Sequence, residues 1–332
     1  MRLLVTGATG LLGNAIVRAA LAEGHAVRTL VRGAGPRPEL AGLDVEAVPG
    51  ELTDVESLGR AVAGVDGVIH SAALIHLGWS KSDESRRVNV EATRRLAELV
   101  RVAGVPLVHV STVNTLGTAE RPEAPLTEET PNDRVVPCNY VVSKREAEAK
   151  LLALGKEGLD VRIVLPGFML GPYDWKPSSG RMLIETASAP PVAPPGGCSL
   201  CDARDVAAGA LAALTRGQPG RSYILAGENL DYLALWTRFA AVTGGRAPKF
   251  RLGPVLPTLA GGWGDLVTRL GRPEPTINSA ATRMAAQGHY FDSGRARAEL
   301  GYTNRDTDTT IREAWDWIVA HHGDKLPARL RR

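Results

Sequence analysis

Two short runs of residues carry the chemistry of this chain. Thr6-Gly7-Ala8-Thr9-Gly10-Leu11-Leu12-Gly13 follows the apolar run Leu3-Leu4-Val5 and opens a helical pattern. Glycines at a strand-to-helix turn let backbone amides approach a pyrophosphate, and the helix amino terminus adds its positive end. Gly7 permits the turn, Gly10 close approach, and Gly13 tight packing of helix on strand. The amides of Leu11 and Leu12 are the expected donors, and Thr9 adds a hydroxyl. Far downstream, Tyr140 and Lys144 stand four apart, so on a helix they share a face with Cβ atoms about 5–6 Å apart. A phenol with a reference pKa near ~10 is a poor base at neutral pH, but a nearby ammonium favours its ionised form. Such a pair is suited to moving a proton at a carbon that gains or loses hydride.

Arg32 closes the apolar run Ala26 to Val31, with no Asp or Glu beside it. A free ribose 2′-hydroxyl calls for an acid at such a strand end, whereas a 2′-phosphate calls for a guanidinium. NADP(H) is therefore the expected cofactor and NAD(H) the alternative. Asp54 reads as the N-cap of a helix through Leu58. His70 and His76 read as structural or loop histidines. Trp79, Tyr173, Trp175 and Lys176 are loop residues whose stacking or charge suits a ligand, and they are the substrate candidates.

These residues need a frame to hold them. Strand-length apolar runs at Leu3 to Thr6, Ala26 to Val31, Val45 to Val48, Val68 to Ala72, Leu107 to Ser111 and Val161 to Leu165 alternate with helical patterns. The helical patterns span Leu12 to Ala22, Arg86 to Val102 and Val142 to Leu154. Alternation of this kind predicts an α/β fold with a doubly wound parallel sheet. After Pro166 the texture changes, with Pro172, Pro177, Pro190, Pro191, Pro194 and Pro195 breaking the chain into loops. A helix from Asp205 to Leu214, a strand from Ser222 to Leu225, a helix near Leu230 to Val242 and a closing helix from Thr309 to Val319 follow. Residues 1–166, with 204–226 returning to them, form the expected dinucleotide-binding domain. Residues 167–203 and 227–332 form mainly a smaller, discontinuous C-terminal substrate lobe. Ligands of such sheets sit beyond the carboxyl ends of the strands, where this lobe closes over them. Trp315 and Trp317, two apart on one helix, cannot both face the core.

With 332 residues and 44% apolar content, the chain can bury a full core. Its formal charge of +3 is small, and only Arg329-Leu330-Arg331-Arg332 is locally basic, which argues against a nucleic-acid partner. Met1-Arg2 leads straight into a strand, and no apolar run approaches the ~20 residues that span a bilayer, so a cytoplasmic protein without a membrane partner is expected. Cys138, Cys198 and Cys201 suit reduced thiols. Cys198 and Cys201 have redox or zinc spacing, but no second ligand pair accompanies them, and no metal site is expected.

The glycine turn and the Tyr140/Lys144 pair, in this order and with Ser111-Thr112 between them, resemble the extended short-chain dehydrogenase/reductase family, within the NAD-dependent epimerase/dehydratase superfamily. The resemblance runs from the first strand to the last helix and implies a Rossmann-like sheet. It also implies a hydroxyl at the end of the fifth strand that holds the substrate oxygen. Aligning Leu116-Gly117 with the end of that motif gives Thr112 this role and makes Ser111 second choice. Lys144 then also reaches the nicotinamide ribose. Glu51, with Leu52 beside it in Gly50-Glu51-Leu52-Thr53-Asp54, takes the adenine-edge position, where aspartate is more usual. Ser71, Ala72 and Ala73 pass beneath the nicotinamide ribose, Asn89 braces the catalytic region, and Pro166-Gly167 contacts the carboxamide. Leu165 replaces the arginine that often precedes this proline. The resemblance also implies a homodimer through the Arg86-to-Val102 and Val142-to-Leu154 helices.

The first expectation is an NAD(P)-dependent ketone/alcohol oxidoreductase with Tyr140 as acid/base, resembling the dihydroflavonol-reductase-like branch and acting on a small-molecule carbonyl or alcohol. The second is an NAD-dependent sugar or nucleotide-sugar epimerase or dehydratase with a retained cofactor. Gly171 to Pro177 and Tyr223 to Asn229 look like segments of hopanoid-associated sugar epimerase-like sequences, whereas Pro166-Gly167 replaces a Phe-Asn pair common in nucleotide-sugar enzymes. A non-catalytic cofactor sensor is the third reading, disfavoured by the presence of both tyrosine and lysine.

Overall fold

The computed structural model describes residues 1–33, 35–130, 133–188, 191–326 and 330. Pro190 and the arginines Arg329, Arg331 and Arg332 of the basic tail lie outside them. The first half runs β1 (Arg2–Thr6), α1 (Leu11–Ala22), β2 (Ala26–Val31), β3 (Val45–Pro49), α2 (Val55–Val62), β4 (Gly67–His70), α3 (Ser82–Ser85), a π-helical turn (Arg86–Glu91), α4 (Ala92–Ala103), β5 (Leu107–Val110) and α5 (Asn139–Lys156). It continues with β6 (Val161–Pro166), β7 (Phe168–Leu170), α6 (Gly180–Ser188), β8 (Val192–Ala193), β9 (Gly197–Asp202), α7 (Ala203–Arg216) and β10 (Ser222–Leu225). The remainder is β11 (Glu228–Asp231), α8 (Tyr232–Thr243), β12 (Phe250–Arg251), α9 (Val255–Arg269), α10 (Ser279–Ala285), β13 (Gly288–His289), α11 (Gly294–Leu300) and α12 (Thr307–His322).

Seven parallel strands form the main sheet in the order β10-β6-β5-β4-β1-β2-β3. Successive side chains of a strand point to opposite faces, so Leu3 and Val5 pack against α1 and α7 while Leu4 packs against α2 and α4. Both faces are thereby covered, and the fold is the doubly wound Rossmann-type sheet that the alternating pattern predicts. The chain reverses its winding between β1 and β4, which opens a crevice at their carboxyl ends.

A second sheet, β11-β9-β13 with β7 on β9, carries its own apolar core with α6, α8 and α12. Ala296 and Leu300 of α11, with Tyr302, join the α1/α7 cluster of the main sheet instead. Several boundaries differ from expectation. β4 stops at His70 because the amides of Ser71 and Ala72 turn to the carbonyl and hydroxyl of Thr6. Leu230 lies on β11, and α8 begins only after Asp231, whose carboxylate accepts from the Ala234 amide at 2.9 Å. Helix α5 starts at Asn139, three residues earlier than its apolar pattern indicates, so Tyr140 sits in its first turn.

Cys198 and Cys201 are three apart on β9 and therefore face opposite sides, Cys198 into the lobe core and Cys201 into the α1/α7 core. Burial pushes the Cys198 thiol up to about 12 and the Cys201 thiol well above its ordinary value. Trp315 is buried in the lobe core, while Trp317 stacks on His321 at the surface of α12.

Candidate active site

The cradle is built by backbone contact. Gly7 has φ +77°, and a Cβ there would lie 2.8 Å from the Ala72 nitrogen. A Cβ on Gly13 would lie 2.1 Å from the Gly7 carbonyl. Gly10 differs, because its Cβ would meet only that carbonyl, at 3.4 Å. It stands at the start of α1, which has no side-chain cap and no acid in its first turn. The first amides of a helix have no intrahelical partner. Open space beside Gly10 and uncapped amides at Leu11 and Leu12 fit a pyrophosphate, with Thr9 half-buried next to them.

Arg32 is exposed just beyond β2. A second guanidinium joins it, since Arg37 reaches back until its Nη2 lies 3.1 Å from where a Cβ on Gly33 would be. Sequence reading did not single out Arg37, although its place five residues after Arg32 is the available signal. Glu51 is exposed, Leu52 packs against the α2/α4 core, and Asp54 caps α2 by accepting from the Glu56 and Ser57 amides, each at 3.2 Å. Asn89, buried in the π-helical turn, donates to the Leu74 carbonyl at 2.9 Å and to Ser143 Oγ at 3.0 Å, and accepts from the Leu74 amide at 2.7 Å. It thus ties the loop after β4, which carries Ser71, Ala72 and Ala73, to the helix of Tyr140.

Tyr140, Ser143 and Lys144 are all buried on α5. The Tyr140 phenol hydrogen-bonds the Thr112 hydroxyl, and burial pushes it up to about 12. Lys144 donates to the Val110 carbonyl at 2.6 Å and lies 3.5 Å from His109 Nε2. Burial pushes its ammonium down to about 8, with Glu148 pulling the other way. Desolvation is the largest influence on the phenol, which keeps its proton at neutral pH. Ser111 donates to the carboxylate of Glu148, whose own pKa is raised by burial. Glu148 is a residue that sequence reading passed over, one helical step beyond Lys144 on the same face.

His70 is enclosed behind this centre, with Nδ1 2.7 Å from Thr6 Oγ1 and Nε2 2.9 Å from Thr93 Oγ1. Pro166 ends β6, and Gly167 follows where β9 passes so close that a Cβ would lie 2.5 Å from the Ser199 carbonyl. Leu165 is core. Tyr140 packs in an apolar cluster with Val136, Cys138 and Val141 and with Ala280 and Met284 of α10.

The substrate candidates divide. Trp79 lies on a loop fastened to the segment before α10, its amide donating to Glu274 at 2.9 Å and its indole to Ser279 Oγ at 2.8 Å. Burial alone would raise the Glu274 carboxylate, but hydrogen bonds from Ser80, Trp79 and His76 hold it down to about 2. Tyr173 and Trp175 pack on Trp317 of α12, and the Arg18 guanidinium lies 3.7 Å from the centre of the Tyr173 ring. Lys176 pairs with Glu39 at 3.1 Å. Tyr173, Trp175 and Lys176 therefore make their contacts with the outer side of α1, the turn at Glu39 and the closing helix.

The family model described as NAD dependent epimerase/dehydratase matches residues 3–226. Sterol demethylase protein B of Methylococcus capsulatus is 33% identical over 96% of this chain and 98% of its own length. A Synechocystis protein provisionally named dihydroflavonol 4-reductase is 32% identical over 96% of this chain and 94% of its own. Among solved structures, that of gox2253 superposes with a TM-score of 0.83 at 31% identity, covering 97% of this chain and 98% of the other. The chain belongs to the NAD-dependent epimerase/dehydratase family and is an enzyme of the extended short-chain dehydrogenase/reductase type.

Proposed function

We propose that this enzyme is an NADP(H)-preferring oxidoreductase that reduces a carbonyl on an apolar substrate, with Tyr140 as the proton donor. The observation that carries the reading is the buried Tyr140 phenol, hydrogen-bonded to Thr112 and pushed up to about 12. A phenol that keeps its proton is in the state needed to give it to a developing alkoxide. Thr112 holds the carbonyl oxygen, since a hydroxyl both donates and accepts. Lys144 lies one helical turn behind Tyr140 and keeps positive charge near the site below about pH 8. Gly7, Thr9, Gly10, Leu11, Leu12 and Gly13 hold the pyrophosphate, Arg32 and Arg37 the 2′-phosphate, and Glu51 and Leu52 the adenine edge. The loop Ser71-Ala72-Ala73, braced by Asn89, and the turn Pro166-Gly167 flank the nicotinamide end. When bound, the nicotinamide supplies the hydride.

Relatives whose names refer to a sterol or a dihydroflavonol support a substrate rich in hydrocarbon, as does the apolar cluster in which Tyr140 packs. A retained-NAD epimerase or dehydratase is the second reading, favoured by the family's own description. The segment Tyr223 to Asn229, which resembles epimerase-like sequences, is occupied structurally: Tyr223 donates to Glu299, and Asn229 binds the Phe291 backbone. The test is NADPH oxidation with a panel of apolar ketones, beside mass spectrometry of what co-purifies. Ketone-dependent NADPH oxidation by cofactor-free protein supports the reductase; stoichiometric NAD that survives dialysis, with no such oxidation, overturns it.

A further inference from the structure

Helix α9 is turned inside out. Val255, Leu256, Leu259, Trp263, Leu266 and Leu270 recur at one-, three- and four-residue steps and fall within about 100° of arc, the pattern of a core-facing stripe. Yet all six are exposed, Leu259 by 65% and Trp263 by 68%. Glycines fix this orientation on the opposite side. A Cβ on Gly261 would lie 2.5 Å from Thr282 Oγ1, and one on Gly264 would lie 2.1 Å from the Ile277 carbonyl. The glycine face is thus pressed against α10 and its approach, leaving the apolar face outward.

Charge indicates what covers it. Residues 246–272 hold five basic residues, Arg246, Lys249, Arg251, Arg269 and Arg272, against the single acid Asp265. Asp265 is engaged by the Ser279 amide at 3.0 Å, and Arg251 pairs with Asp231 at 2.7 Å. Arg246, Lys249, Arg269 and Arg272 are exposed and form no ion pair among the described residues, and they stand at both ends of the stripe. A second copy packed along this helix, parallel or antiparallel, would set basic ends against basic ends. An anionic lipid surface would instead receive the apolar stripe among its acyl chains and the flanking cations among its headgroups. No helix of the described residues is long and apolar enough to cross a membrane, so the contact is interfacial.

We propose that the outward face of α9 docks this enzyme on anionic lipid bilayers. The site is one helix away from Tyr140, because α10, on which α9 rests, contributes Ala280 and Met284 to the apolar cluster in which Tyr140 packs. The proposal does not depend on which reaction the crevice performs.

The test is flotation of the full chain with phosphatidylcholine vesicles, with and without phosphatidylglycerol, while the tryptophan emission is recorded. Binding that requires phosphatidylglycerol, weakens with salt and shifts the emission to the blue is the expected result. Leu259→Asp should weaken partitioning by about tenfold or more, and Arg269→Gln and Arg272→Gln by about fivefold each. Leu266→Ser provides a second apolar variant should Leu259→Asp unfold. Absence of binding to anionic vesicles overturns the proposal, as does binding that Leu259→Asp and Leu266→Ser leave unchanged. A dimer in sedimentation that Leu259→Asp converts to monomer, without vesicle binding by either, assigns the face to a second copy and overturns it too.

Discussion

Ser111 gives its hydroxyl hydrogen to Glu148, one residue before Thr112 meets the Tyr140 phenol. Two neighbouring hydroxyls at the end of β5 are thereby sorted along one face of α5, Ser111 two helical steps beyond Tyr140 and Thr112 at Tyr140 itself. If Thr112 holds the carbonyl oxygen, Thr112→Val should lower kcat by about 10²-fold or more, the scale of one lost oxyanion donor, whereas Thr112→Ser keeps most of it. Steady-state kinetics with the substrate found by the ketone panel provides the measurement, and equal losses in the two variants would remove Thr112 from the role.

Tyr140→Phe deletes the proposed proton donor and little volume. The variant should fold and bind cofactor normally, and turnover should fall by about 10²–10⁴-fold. Near-normal turnover would refute the assigned role.

Glu148 is the carboxylate whose charge favours the Lys144 ammonium. Removing that charge in Glu148→Gln leaves burial unopposed, so Lys144 should lose its proton at a pH still lower than about 8. The alkaline limb of the pH–rate profile should move acidward relative to the native enzyme. An unmoved limb would separate Glu148 from the titration of Lys144.

Gly10 and Gly13 make different demands, and alanine separates them. A Cβ at Gly13 collides with the Gly7 backbone, so Gly13→Ala should destabilise the fold by about 1–3 kcal/mol, the usual scale of overpacking. Gly10→Ala meets only one atom within reach and should fold normally while losing cofactor affinity. Thermal melts beside cofactor titration distinguish the two. In the same titration, Arg32→Ala should weaken NADPH more than NADH, and equal losses would place the guanidinium outside the phosphate site.

Acid should unfold this protein through its buried histidines. Burial pushes His70 down to about 3 and His289 to about 4. Their folded values lie below the unfolded value near ~6.5, so their stabilising contribution is complete above that pH and is lost as pH falls toward the folded values. Each should cost about 2 kcal/mol between pH 8 and pH 5. Urea midpoints across this range check the slope, and His289→Asn should flatten it.

The parts of the site that local backbone geometry dictates are legible in the sequence. A glycine turn between strand and helix, a tyrosine and lysine four apart, and Asp54 before a helix each depend on neighbours within a few residues. Arg37 and Glu148 escape such a reading because nothing local marks a charged residue as folded back over Gly33 or buried against β5. The α10 side of the Tyr140 cluster escapes it for a stronger reason, since Met284 meets Cys138 across 146 positions of chain. Helix α9 defeats hydrophobic patterning outright. A stripe at helical spacing signals burial by default, and only the glycines on its opposite side show which way it points.

The two sheets are joined almost without slack. β6 ends at Pro166 and β7 begins at Phe168, while β9 ends at Asp202 and α7 begins at Ala203. One residue lies on the first outward path, none on the return, and only Ala226-Gly227 on the second outward path, from β10 to β11. The longer pieces that hang from these short links, the loop bound by Glu274 and the α9–α10 hairpin, have the most chain with which to adapt to molecules of different shape. Exchanging that hairpin between relatives would be the economical way to change what the enzyme accepts without disturbing how it reacts.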